Sequence, residues 1–110
     1  MTKDTEKALV ILYCEYKRRR GFGTSKAEDV HFEEAKMRNI EAFSDWNYAD
    51  ISYAMQQLRA AGYVKLNILG DVTLTESAIE YIEAKPKEYF DTFLKIASLI
   101  PVLGSITGSK

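Results

Sequence analysis

The stretch Asn47 to Ala84, NYADISYAMQQLRAAGYVKLNILGDVTLTESAIEYIEA, constrains the fold more than any other part of the chain, because it reads as a helix, a tight β-hairpin and a second helix in immediate succession. Asn47 suits an N-cap, and Asp50 three residues on completes an arrangement like a capping box. Ile51, Ala54, Met55, Leu58 and Ala61 then recur at helical spacing and mark a buried face. Opposite them lie Ala49, Tyr53, Gln56 and Ala60, flanked by Ser52 and Arg59 on one side and by Asp50 and Gln57 on the other. This is a flat polar face with almost no charge. Gly62 ends the helix, Tyr63-Val64-Lys65-Leu66 alternates as a strand, Asn67 to Asp71 supplies a turn around Gly70, and Val72-Thr73-Leu74 returns. Thr75 is placed to cap the closing helix, Glu76 to Ala84, with Ile79 and Ile82 inward. The hairpin is short, and Lys65 is its only cation.

Toward the N-terminus, Asp4 or Thr5 is the expected cap of a helix running to about Arg20, with Leu9, Leu12, Tyr13 and Tyr16 on one face and Gly21 and Gly23 at its end. Lys17 to Arg20 fall in its last turn, where cations complement the helix dipole, so the cluster reads either as a solvated terminus or as a phosphate contact. Ser25-Lys26-Ala27-Glu28 has the form of a capping box, and Val30-His31-Phe32 alternates as a short strand would. A helix is expected over Glu33 to Phe43, with Ile40 and Phe43, helped by Ala35 or Met37, pointing inward. It stops at Ser44-Asp45-Trp46-Asn47, which makes it and the helix from Asn47 a helix-turn-helix pair with Trp46 as a core plug under the turn. Past Lys85, Pro86 suits the first position of a last helix, which Pro101 ends. The tail 102–110 mixes Gly, Ser and Thr with apolar residues and is expected to be loose.

A chain of 110 residues is sized for one core. Its 46% apolar and 28% charged residues are those of an ordinary globular protein. The formal net charge of −1 is the main argument against a nucleic-acid partner, since a phosphate binder needs a basic face. Cys14 is the only cysteine, which excludes an intrachain disulfide and a thiolate zinc site and suggests a reducing compartment. The polar start, and the lack of a small-residue cleavage site after the apolar run Ala8 to Cys14, argue against a signal peptide, so a cytoplasmic protein is expected. His31 has no partner set for a metal or a catalytic triad, Glu33 and Glu34 read as an acidic first turn, and the glycines form no phosphate loop. No enzyme activity, metal or cofactor is expected.

Leu58-Arg59-Ala60-Ala61-Gly62-Tyr63-Val64, followed by Leu74-Thr75-Glu76-Ser77-Ala78-Ile79-Glu80-Tyr81-Ile82, resembles winged helix-turn-helix proteins of bacterial regulator type. The resemblance covers Glu33 to Ala84 and extends to the first helix. It implies an α+β, mostly helical fold: a winged-helix domain over 1–85 with a short hairpin wing, then a C-terminal amphipathic helix and tail over 86–110. It also implies a small DNA-binding protein, a transcriptional regulator, whose recognition helix spans Tyr48 to Ala61. Double-stranded DNA would then meet Asn47, Tyr48, Ser52, Tyr53, Gln56, Gln57 and Arg59, with Lys65 from the wing and Arg18, Arg19 and Arg20 on the backbone. Glutamines can read adenine, and Arg59 can reach guanine or phosphate. Two features depart from the pattern. Tight DNA binders of this type carry several Arg or Lys on the helix and wing, and Ala78 stands where many relatives have glycine.

The last helix offers a second surface. Tyr89, Phe90, Phe93, Leu94, Ala97 and Ile100 form an apolar stripe, part of which can pack on the chain's own first helix and which is otherwise expected at a homodimer interface, while Phe93 to Ile106 is too short to span a bilayer. Burying two phenylalanines and two aliphatics would contribute on the order of 6 to 12 kcal/mol of gross hydrophobic free energy. A two-fold dimer would set two recognition helices roughly 34 Å apart and favour a palindromic site. The rival expectation is a winged helix that binds protein rather than DNA, within a phage-derived or membrane-proximal assembly. Near-neutral charge, Tyr48, Tyr53, the apolar wing tip Ile68-Leu69 and the C-terminal stripe favour it.

Overall fold

The computed structural model describes residues 1–93. It is mostly helical with one small antiparallel sheet. The order is α1 (Lys3–Arg20), α2 (Lys26–Asp29), β1 (His31–Phe32), two 3-10 segments (Glu34–Asn39 and Glu41–Phe43), α3 (Tyr48–Ala60), β2 (Val64–Leu66), β3 (Val72–Leu74), α4 (Glu76–Glu83) and α5 (Lys87–Asp91). No helix among the described residues is long and apolar enough to cross a membrane.

Helix α1 is the axis of the core. Every residue from Ala8 to Cys14 is buried, so the helix is surrounded rather than packed on the single face expected from Leu9, Leu12, Tyr13 and Tyr16. Its cap is Thr2, not Asp4 or Thr5: the Thr2 hydroxyl accepts the Thr5 N–H at 3.2 Å, and Thr5 itself is buried one turn in. The Ser25 capping box forms as its spacing predicts and starts the four-residue α2.

The helix expected over Glu33 to Phe43 is replaced by the two 3-10 segments, broken at Ile40, whose backbone is extended (φ −70°, ψ 120°). The spacing of the apolar residues is compatible with this. Met37, Ile40 and Phe43 recur every three residues, the period of a 3-10 helix, and no apolar residue extends the row at the 3.6 period of an α-helix. Met37 and Phe43 are buried, Ile40 is half-buried and Ala35 is exposed. Glu33 makes no side-chain cap; the carboxylate of Asp71 takes the Glu34 N–H instead, at 2.8 Å. Trp46 packs edge-on against Phe43, with ring centroids 5.2 Å apart, as the core plug it was expected to be.

Helix α3 begins where Asn47 predicts, with the Asn47 side-chain oxygen accepting the Ala49 N–H at 2.7 Å. Ile51, Ala54, Met55 and Leu58 are buried; Ala61, expected with them, is the exposed C-cap. Gly62 follows in the left-handed region at φ 83°, the conformation that lets the chain turn into β2. The sheet has strand order β1-β3-β2, with His31 opposite Thr73 and Val64 opposite Leu74. Phe32, Val64, Val72 and Leu74 face the core. Thr75 caps α4 through the Ala78 N–H.

Pro86 is the N-cap of α5 rather than its first residue. The Lys85 ammonium lies over the rings of Tyr81 and Tyr89, 4.2 and 5.1 Å from their centroids, which holds the start of α5 against α4. Phe90 and Phe93 are consequently buried in the core of their own chain, 3% and 7% exposed, and are not open to a second copy as the dimer expectation required. Leu94, Ala97 and Ile100, the end of that helix at Pro101 and the tail lie outside the described residues.

Candidate recognition surface

Two groups of expected site residues occupy different places. The first is the outward face of α3. Tyr48, Ser52, Tyr53, Gln56, Gln57 and Arg59 are all exposed there, as the helical spacing predicts. Asn47 is exposed, but its side-chain oxygen is spent on the cap. Arg59 donates from Nε to the Gln56 side-chain oxygen at 3.2 Å, so these two side chains are held together on the surface.

The hairpin β2–β3 flanks this face. Tyr48, Ser52 and Gln56 from α3 and Leu66 and Gly70 from the hairpin surround a cleft of about 70 Å³ floored by Met37, Ile51, Met55 and Val72. A cleft of this size admits about one side chain. The Tyr48 hydroxyl donates to the Glu34 carboxylate, which pushes the tyrosine pKa up. The five-residue turn is built on Asn67, whose side-chain oxygen accepts the N–H groups of Leu69 and Asp71, both at 2.9 Å, while Gly70 takes φ 87°. This rigid turn holds Ile68 and Leu69 out in solvent, 98% and 75% exposed. Lys65 is exposed in the middle of β2, in the same row as Thr73 and His31.

The second group, Arg18, Arg19 and Arg20, is built into the fold instead. Arg18 and Arg19 share the Glu15 carboxylate, at 2.7 and 3.1 Å. Burial works against the charge on Glu15, but the hydrogen bonds from both arginines outweigh it and hold its carboxyl below the usual range. Arg19 also donates to the carbonyls of Asp29 and His31, at 3.3 and 2.6 Å, and stacks 4.4 Å above the centre of the Phe32 ring. Arg20 pairs at 2.9 Å with Asp29, a carboxylate that is itself buried. Burial would raise the Asp29 carboxyl, yet its bonds from Thr24 and Arg20 hold it low. Arg19 and Arg20 fasten residues 24–32 to the end of α1, whereas the ion pair of Arg18 lies within the helix and its side chain is 53% exposed, so Arg19 is the least available of the three for the phosphate contact expected from the sequence.

No family model matches the chain, and neither does any curated protein or solved structure.

Among the described residues no cluster of three or more His, Cys, Asp or Glu side chains is placed to hold a metal ion. Cys14 is buried, and burial pushes its thiol up to about 12, far from thiolate chemistry at neutral pH. Sequence reasoning missed the junction at Asp71, which joins the hairpin turn to Glu34 and approaches His31. No local signal could have found it, because those partners are 37 and 40 positions away in the chain.

Proposed function

We propose that this chain is a winged-helix module that binds a protein partner through α3 and the wing. The order helix, strand, helical segment, helix and hairpin, with the first strand pairing the last, supports the winged-helix reading. One observation carries the choice of partner. Of the six large apolar side chains exposed among the described residues, four belong to α3 or the hairpin turn that flanks it: Tyr48, Tyr53, Ile68 and Leu69. Aromatic and aliphatic side chains with few charges among them are what a protein interface buries. Of the expected cations, Arg59 is on α3, which also carries Asp50, while Lys65 lines a groove with Lys26, Thr73 and Glu76 on the other face of the hairpin.

A second reading keeps a specific support: Ser52, Gln56, Gln57 and Arg59 form a polar row able to hydrogen-bond base edges. On that reading the chain is a DNA-binding regulator acting as a homodimer through the stripe that continues past Phe93.

One paired experiment separates the two. Purified chain is offered a random duplex pool across a salt series, and tagged chain is used to capture partners with and without nuclease. The protein reading expects no duplex retention even at low salt, and a stoichiometric, nuclease-resistant partner that Tyr53→Asp and Ile68→Asp each release. Salt-sensitive duplex retention that weakens in Arg59→Ala would overturn it in favour of DNA.

A further inference from the structure

His31, the only histidine, stands at the base of the wing on the strand paired with β3. Its Nδ1 lies 3.3 Å from the Thr73 hydroxyl, and its Nε2 lies 3.7 Å from Asp71 Oδ2. That carboxylate is already a junction. Its Oδ1 accepts the Glu34 N–H at 2.8 Å, and its Oδ2 accepts the Asn67 side-chain amide at 3.3 Å. Glu34 in turn accepts the Tyr48 hydroxyl, so the junction reaches from the wing turn to the first turn of α3.

Asp71 is the anion placed to respond to this ring. The Glu34 N–H, first, and the Asn67 amide hold its carboxyl below the usual range, so it stays charged wherever a histidine titrates. The other charges facing the ring come from several elements. Arg19 of α1 bonds the His31 carbonyl, while Arg19, Glu28, Asp29, Glu33 and Lys36 line the groove beside the ring. Lys65 stands two strands away in the same row. Glu28 is engaged at Ser25, Asp29 at Arg20, Arg19 at Glu15, and Lys36 lies 3.8 Å from Glu33. A neutral imidazole offers Asp71 only a dipole. An imidazolium offers a full charge to the same oxygen that accepts the Asn67 amide.

We propose that His31 and Asp71 form a proton-operated clamp at the base of the wing. Protonation of His31 draws Oδ2 toward the ring and shifts Asp71, and the turn closed by Asn67 on the Asp71 N–H moves with it, which re-aims the Ile68-Leu69 tip beside α3. The clamp rests on the proposed recognition surface only for its consequence, pH-dependent presentation of that tip.

The test is an amide NMR titration of the full chain without a partner, from about pH 8 to about pH 5, across the histidine range. The amides of Glu34 and Asn67 to Asp71 should move on the same curve as the His31 ring protons. His31→Gln should remove that movement. So should Asp71→Asn, which can still accept the Glu34 N–H, while its His31 ring continues to titrate. Wing amides that stay fixed while His31 titrates, or that move unchanged in His31→Gln, would overturn the clamp. With no partner in the tube, that result leaves the recognition surface untouched, and loss of the partner by nuclease treatment would leave the clamp untouched.

Discussion

The end of α1 and the outer face of α3 carry opposite kinds of residue and use them in opposite ways. Arg18, Arg19 and Arg20 are the densest charge in the chain, yet Glu15, Asp29 and the carbonyls of residues 24, 28, 29 and 31 engage them. Tyr53, Ile68 and Leu69 could serve a core, yet they are held in solvent by a capped helix and a rigid turn. Formal charge therefore says little about available charge. A guanidinium already paired within the fold must give up bonds before its engaged donors can meet a phosphate, whereas an exposed aliphatic side chain gains free energy from any partner that covers it.

If that contrast is right, Arg19→Ala should be the most damaging change of those considered. It removes bonds to Glu15 and to backbone carbonyls of α2 and β1 and a cation–π contact on Phe32, so a loss of about 2 to 3 kcal/mol is expected by urea denaturation. A loss below about 0.5 kcal/mol would show that the corner is ornamental and its arginines free to bind. Gly70→Ala should come next, at about 1 to 2 kcal/mol. The residue sits at φ 87°, and an added Cβ would lie 3.1 Å from the Glu34 side chain, itself fixed by Tyr48. That variant tests whether the hairpin tip is held or merely tethered.

Acid should act on the arginine corner as well. Glu15, Asp29 and Asp71 all have carboxyls held below their ordinary values in the folded chain. A depressed folded pKa means that the stabilisation is fully present above the unfolded value and is lost as pH falls through the folded one, so the window lies below about pH 4. Melting temperature should fall across that window, and Glu15→Gln should flatten part of the fall. An unchanged profile in Glu15→Gln would mean that its two arginine bonds do not outlast solvent competition.

What could be read from residues alone follows from how far each signal reaches along the chain. The capping box at Ser25, the cap at Asn47, the turn at Gly62 and the cap at Thr75 each act within four residues, and each forms where its letters stand. The outward face of α3 was legible for the same reason, since one helical period fixes it. The segment Glu33 to Phe43 was misjudged because three apolar residues at intervals of three serve either helix type until neighbouring structure decides. The arginine corner and the Asp71 junction were illegible: Arg19 meets His31 twelve positions on, and Asp71 meets Glu34 from 37 positions away. Burial of Phe90 and Phe93 was half legible, because an apolar stripe states that it will be covered and not by what.

The smallest expected effect on stability is the sharpest test of the other half of the contrast. Tyr53→Ser and Ile68→Ser each remove an exposed side chain that buries little on folding, so both should leave the urea midpoint within about 0.5 kcal/mol of the parent. Neither change should alter the fold, yet each should weaken capture of a protein partner at least tenfold if Tyr53 and Ile68 are central contacts, which corresponds to about 1.4 kcal/mol of binding free energy. Arg19→Ala should show the reverse order, destabilising the chain while leaving affinity intact at temperatures where it stays folded. Should Ile68→Ser instead destabilise the chain by more than about 1 kcal/mol, the tip would be a packing element of the wing. The four exposed apolar residues would then no longer form one surface set aside for a partner.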